Sequence, residues 1–298
     1  MASWFLSTRA QSRGGPVSAQ VKIIDKDRGV GYTGNLMPEL QEAVRGRDVF
    51  FAVHGFNVNQ QDGLDHLGFW LSKVDVGNAV KIGILWPGDC FVPIFVDYVV
   101  EGHEAIRSGD LLSSFLNANF TGAVNLSFAS HSLGARVVLQ AVRGLNLHVR
   151  RVLLMAGAID DNCLTDEYAD ATKKIDQISL LTSKSDAVLA AAYPLGNPLQ
   201  GIIDRGHPYY HAALGREGPA NAGQLAPRLR SGWEIPKPID YGHLDYIPGK
   251  LLPDIYPQPC EIPPDAPVPP QGTPASMTAD KKLWKPAFSA AFVTNRYK

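Results

Sequence analysis

Short, almost continuously apolar runs alternate with stretches of helical apolar spacing through most of this 298-residue chain. The runs predict strands at Trp4–Thr8, Ala19–Ile24, Asp48–His54, Val80–Trp86, Val124–Ala129, Arg151–Ala156 and Asp176–Thr182. Several, such as Val49-Phe50-Phe51-Ala52-Val53 and Val152-Leu153-Leu154-Met155-Ala156, carry no polar residue. Strands of that kind are covered on both faces, as in a parallel sheet. Helices are predicted at Gln61–Lys73, Asp97–Asn119, Ser132–Leu145 and Thr165–Lys174. Alternating strands and helices imply right-handed crossovers and an α/β, doubly wound, mostly parallel sheet flanked by helices. Ligands of such sheets collect at the carboxyl ends of the strands.

The pattern changes after Leu252. Prolines recur at short intervals from Pro253 through Pro274, a stretch that can neither propagate a helix nor join a central strand. The expected organisation is a folded domain over residues 1–252 with a Pro-rich extension over 253–298. Packing of that extension on the domain surface is the simpler expectation; a ligand for a recognition module is the other.

Net charge is −1 with both signs dispersed, which argues against nucleic acid as a partner. No apolar run is long enough to span a bilayer. Trp4-Phe5-Leu6 is too short a core for a signal peptide, so a cytoplasmic location is expected, a secreted chain lacking its leader being the alternative. Cys90, Cys163 and Cys260 are odd in number and far apart, which fits neither a disulfide framework nor a metal site. Oligomeric state leaves no mark in the sequence.

Chemistry enters at Ser130-His131-Ser132-Leu133-Gly134, between a predicted strand and a predicted helix. A serine on such a sharp turn projects its hydroxyl beyond the sheet, over the N-terminus of the helix that follows. The turn requires small residues two positions to either side, here Ser130 and Gly134. Centring it on Ser130 instead would set Phe128 in a crowded position. Upstream, the third strand ends in His54-Gly55-Phe56-Asn57. There the Phe56 amide, with that of Leu133, suits an oxyanion hole. His54 precedes the serine, so a structural role suits it better than that of base.

In this architecture an acid and then a histidine follow the serine. Asp160 and Asp186 both follow strand ends, with a role as helix N-cap only as the alternative for either. Asp186, in the polar turn Ser183-Lys184-Ser185-Asp186, is the favoured acid. His207, His211 and His243 all lie late enough to be the base. His243, next to Gly242, is favoured over the two histidines that flank Tyr209-Tyr210.

Together, Val53-His54-Gly55-Phe56-Asn57, Leu85-Trp86-Pro87-Gly88, Ser130-His131-Ser132-Leu133-Gly134-Ala135-Arg136 and Ser185-Asp186-Ala187-Val188-Leu189 resemble the α/β-hydrolases. More narrowly, they resemble a bacterial group of that superfamily long labelled as of unknown function. The resemblance spans Asp48–Ile247 and includes Ala213-Leu214-Gly215-Arg216-Glu217-Gly218-Pro219. It implies Ser132 as nucleophile, Asp186 as acid and His243 as histidine. Too few residues separate the sixth strand from Asp176 for a large cap domain, which leaves Ala187–Gln224 as the candidate cover. Tyr193, Leu195, Leu199, Ile202, Ile203, Tyr209 and Tyr210 make it the candidate acyl-pocket wall, although packing on the sheet explains most of them as well.

The function this predicts is hydrolysis of small or lipid-like carboxylic esters, as an esterase or a lipase-like enzyme, with neither metal nor organic cofactor. The alternative from another class is an inactive α/β-hydrolase-fold scaffold that binds through its Pro-rich tail.

Overall fold

The computed structural model describes residues 3–29, 36–74, 76–89, 94–191, 211–230, 234–235 and 241–246, without the side chains of 94–101. The Pro-rich stretch, His207 and the pocket-wall candidates from Tyr193 to Tyr210 lie outside the described residues. So do Cys90 and Cys260.

Seven strands form one sheet: β1 (Trp4–Arg9), β2 (Val17–Asp25), β3 (Val49–Val53), β4 (Val80–Leu85), β5 (Leu126–His131), β6 (Val149–Met155) and β7 (Ile175–Leu181). Their order is β2-β1-β4-β3-β5-β6-β7. From β1 to β7 every neighbouring pair is parallel, and only β2 is antiparallel, joined to β1 as a hairpin. The fold class expected from the alternation is therefore the one observed. β3 sits between β4 and β5 and is buried at every position, as its unbroken apolar run requires. Phe51 on β3 stacks on Phe128 of β5 with ring centroids 4.8 Å apart.

The flanking helices are α1 (Leu36–Val44), α2 (Gln60–Lys73), α3 (Ile94–Asn119), α4 (Gly134–Gly144), α5 (Ala169–Lys173), α6 (Ala187–Ala191), α7 (Leu214–Glu217) and α8 (Ala222–Leu225). α2 starts at an Asn59 cap whose side chain accepts from the Asp62 amide, and it buries Leu64, Leu67, Trp70 and Leu71. α3 and α4 approach closely: a Cβ on Gly109 would come 2.6 Å from Gln140 Cβ.

Four differences from the sequence expectation have physical reasons. α1 was not foreseen; its buried face is only Leu36, Leu40 and Val44, and Pro38 sits in its first turn. β5 runs two residues beyond its predicted end, because Ser130 and His131 are polar yet buried strand positions. α4 starts at Gly134 instead of Ser132, since Ser132 is not helical. The predicted Thr165–Lys174 helix is helical only over Ala169–Lys173, preceded by turns.

Candidate active site

At the carboxyl end of β5 the chain reverses through Ser132, whose φ of 53° is left-handed, a conformation that strains any residue with a Cβ. Hydrogen bonds hold it there. The Ser132 amide continues the β5–β6 ladder to the Met155 carbonyl at 2.9 Å, and the Ser132 carbonyl accepts from Ala135 at 3.1 Å as α4 begins. The requirement for small neighbours is visible in space. A Cβ on Gly134 would lie 2.5 Å from the His54 carbonyl oxygen, and one on Gly55 would lie 2.9 Å from Ser132 Cβ. Ser130 fills the other tight position. Its hydroxyl is buried without a hydrogen-bond partner among the described residues, so size is what the position uses.

His243 Nε2 lies 2.9 Å from Ser132 Oγ, and His243 Nδ1 lies 2.7 Å from Asp186 Oδ2. The three groups come from the turns after β5 and β7 and from a turn near the end of the described residues. All three are withdrawn from solvent: Ser132 is 4% exposed, the Asp186 side chain 0% and the His243 side chain 10%. Asp186 has two tasks at once. Its second oxygen, Oδ1, accepts from the Leu189 amide at 2.9 Å, capping α6. One carboxylate thus caps a helix and meets the histidine at the same time.

The other candidates lie apart from this chain of hydrogen bonds. Asp160 pairs through its backbone with Ala213 and is not a partner of His243. His211 Nδ1 is 2.9 Å from Asp161 Oδ1, a pairing that fastens the 211–220 segment beside the end of β6. His54 is locked by its surroundings: Nδ1 donates to the Gly55 carbonyl at 2.8 Å, and Nε2 accepts from the Trp86 amide at 3.2 Å. Its ring stacks on that of Trp86, whose Nε1 donates to the His54 carbonyl at 2.8 Å. Among the described residues, the amides of Phe56 and Leu133 have no protein acceptor. Asn57, next to Phe56, is left-handed at φ 57° and donates its amide to Gly88.

Two further side chains contact these turns. His131 Nε2 donates to the His243 carbonyl at 2.6 Å, with the two rings 4.8 Å apart. Arg216 donates to the Lys184 and Asp186 carbonyls and so braces the acid turn. A Cβ on neighbouring Gly215 would lie 2.2 Å from the Ala156 backbone, which explains a glycine at that place. Both side chains fall within the sequence motifs above, but their partners are distant backbone carbonyls that leave no sequence pattern.

Burial drives the Tyr246 phenol well above its usual range, and the neighbouring Asp186 carboxylate adds to the effect, so it stays neutral beside the site. Burial likewise raises the Cys163 thiol well above its ordinary value, far from the reactive thiolate range. Among the described residues no three His, Cys, Asp or Glu side chains gather as metal ligands would. No described helix is long and apolar enough to cross a membrane.

No curated protein matches the chain by sequence. Among solved structures, the ydeN gene product from B. subtilis is 18% identical over 47% of this chain and 73% of its own, with a TM-score of 0.29. Esterase B from Lactobacillus rhamnosis (HN001) is 11% identical over 70% of this chain and 73% of its own, with a TM-score of 0.33. A family model described as "alpha/beta hydrolase of unknown function" (DUF900) matches residues 34–219, and the chain belongs to that family.

Proposed function

We propose that the protein is a serine hydrolase that cleaves carboxylic esters through an acyl-enzyme. In this reading residues 1–252 form the catalytic domain and 253–298 an extension. The observation that carries it is the unbroken hydrogen-bond chain Asp186–His243–Ser132, at 2.7 and 2.9 Å, ending on a serine in a left-handed turn.

His243 Nε2 takes the Ser132 proton as Oγ attacks the acyl carbon, and the ester C–O π electrons move onto oxygen. Asp186 holds the tautomer with Nδ1–H and stabilises the imidazolium that forms. The amides of Phe56 and Leu133 receive the oxyanion, each worth about 3 kcal/mol in the transition state. The intermediate collapses, and the imidazolium protonates the departing alkoxide. Water then repeats the sequence on the acyl-enzyme and frees the acid. The imidazole must be neutral to accept the proton.

The test is hydrolysis of p-nitrophenyl esters from acetate to decanoate. Saturable cleavage lost in Ser132→Ala is expected. An unchanged rate in Ser132→Ala would overturn the proposal. Activity that climbs once a long-chain ester exceeds its solubility would mark a lipase, and a plateau would mark an esterase.

A further inference from the structure

β1 carries a fully buried guanidinium that the chemistry above does not use. Arg9 is the last residue of β1, beyond an irregularity in its pairing with β2 between Ser7 and Arg9. Such irregularities re-aim side chains. Every nitrogen of its planar fork is engaged. Nε donates to the Gln11 carbonyl at 3.1 Å, and Nη1 to both the Val58 carbonyl at 3.2 Å and the Trp86 carbonyl at 2.8 Å. Nη2 donates to Asp89, whose other oxygen accepts from the Gly14 amide at 3.0 Å. One cation therefore ties the β1–β2 hairpin to two loops, Val58 beyond β3 and Trp86–Asp89 beyond β4.

Those two loops are also fastened to each other. Trp86 holds His54 by both ring and carbonyl, and Asn57 donates to Gly88 while Val58 bridges Gly88. Phe56 lies between these two anchors. The left-handed Asn57 beside it persists only because its surroundings fix it. An oxyanion donor acts by being aimed in advance, and a displacement of about 1 Å costs on the order of 100-fold in rate.

We infer that Arg9, paired with Asp89, is a positioning residue that aims the Phe56 amide by locking the 54–58 loop against the 86–89 loop. The inference rests on the serine-hydrolase reading. Arg9 itself touches no substrate, being wholly buried, and acts through backbone carbonyls. The family match begins at residue 34, so the hairpin that delivers Arg9 lies outside the matched segment. A buried ion pair retained only for stability could be exchanged for apolar side chains at no loss. Here the exchange would remove the donor shared by both loops.

Four full-length proteins test it: wild type, Arg9→Lys, Asp89→Asn and the double variant Arg9→Met/Asp89→Leu. Readouts are kcat and KM on p-nitrophenyl butyrate, the pH profile, the inhibition constant of a trifluoromethyl ketone, and the thermal unfolding midpoint. Arg9→Lys keeps the charge and loses the fork. It should lower kcat about 10- to 100-fold with KM within about threefold, as misalignment of one donor does. The ketone, whose adduct places an oxyanion in the same hole, should weaken in parallel with kcat/KM, while the pH profile keeps its shape. The double variant should fold and show the same kcat defect. If Arg9→Lys does not fold, Asp89→Asn, which keeps the size of the side chain, carries the same readouts. A folded variant set with kcat within about twofold of wild type, or lowered kcat without weaker ketone binding, overturns the inference. Wild-type protein whose Ser132 is not labelled by a fluorophosphonate overturns the hydrolase reading itself and the inference with it. Labelled wild type with unaltered variants overturns the inference alone.

Discussion

The two edges of the sheet solve the same geometric problem in different ways. Where the chain enters β3 and β4, left-handed turns fall on Gly46 and Gly77, at φ 66° and 61°, where no Cβ is strained. Where it leaves β3, β5 and β6, the left-handed residues are Asn57, Ser132 and Ala156, at φ 57°, 53° and 46°. For Ser132 and Ala156 this costs roughly 1–2 kcal/mol relative to an ordinary conformation, and less for the asparagine. The amino edge is otherwise relaxed. Lys81 caps the end of α2 through the Leu71 and Val74 carbonyls, both at 2.8 Å, and a cavity of about 540 Å³ opens beside Trp4, Phe5 and Leu71. At the carboxyl edge buried polar groups crowd together, and the hydrogen bonds of His54, His131, Arg9 and Arg216 hold the strained turns. Among the described residues the left-handed non-glycine backbone falls at this one edge and is held there by side chains, which supports the proposal that the active site lies there.

The contrast can be broken by substitution. The largest effect should come from Asp186→Asn, which keeps shape and the α6 cap but no longer holds the productive imidazole tautomer. A fall in kcat on the order of 10⁴ is expected. A fall below tenfold in steady-state ester hydrolysis would remove the carboxyl edge's special status. His131→Phe keeps a ring beside His243 and deletes the hydrogen bond to its carbonyl, for a loss of about 1 kcal/mol or roughly fivefold in kcat/KM. A change in the unfolding midpoint alone would make that contact structural. At the amino edge, Gly46→Ala meets no atom within 4 Å, so it reports backbone strain only. It should cost about 1 kcal/mol in a denaturant titration with kcat unaltered. The smallest effect is expected from Ser130→Ala, which deletes a buried hydroxyl that has no partner among the described residues. Stability should rise by less than about 1 kcal/mol, and a lower stability would show that the hydroxyl is in use.

The sheet was legible because its central strands are buried on both faces, so that Val49–Val53 and Val152–Met155 read as strands from their side chains alone. Legibility failed where function intrudes. Ser130 and His131 look like loop residues, yet they extend β5 in the core. α1 shows too narrow an apolar stripe, with a proline in its first turn, to stand out. At the site, Ser132 announced itself through its small neighbours, and Asp186 and His243 through chain order and family likeness. The supporting side chains gave no such notice. His131 meets a carbonyl 112 residues away and Arg9 one 77 residues away, and any residue type supplies a backbone carbonyl. Sequence pattern records which side chains are polar, while only the fold records which carbonyls they reach.

The central claim is that the left-handed serine at the end of β5 is the nucleophile. Incubation of the full-length protein with a fluorophosphonate, followed by intact-mass measurement and peptide mapping, tests it most directly. The account predicts one adduct per chain, on Ser132, absent in Ser132→Ala and strongly slowed in His243→Ala. An unlabelled protein, or an adduct on another residue that survives Ser132→Ala, would contradict it.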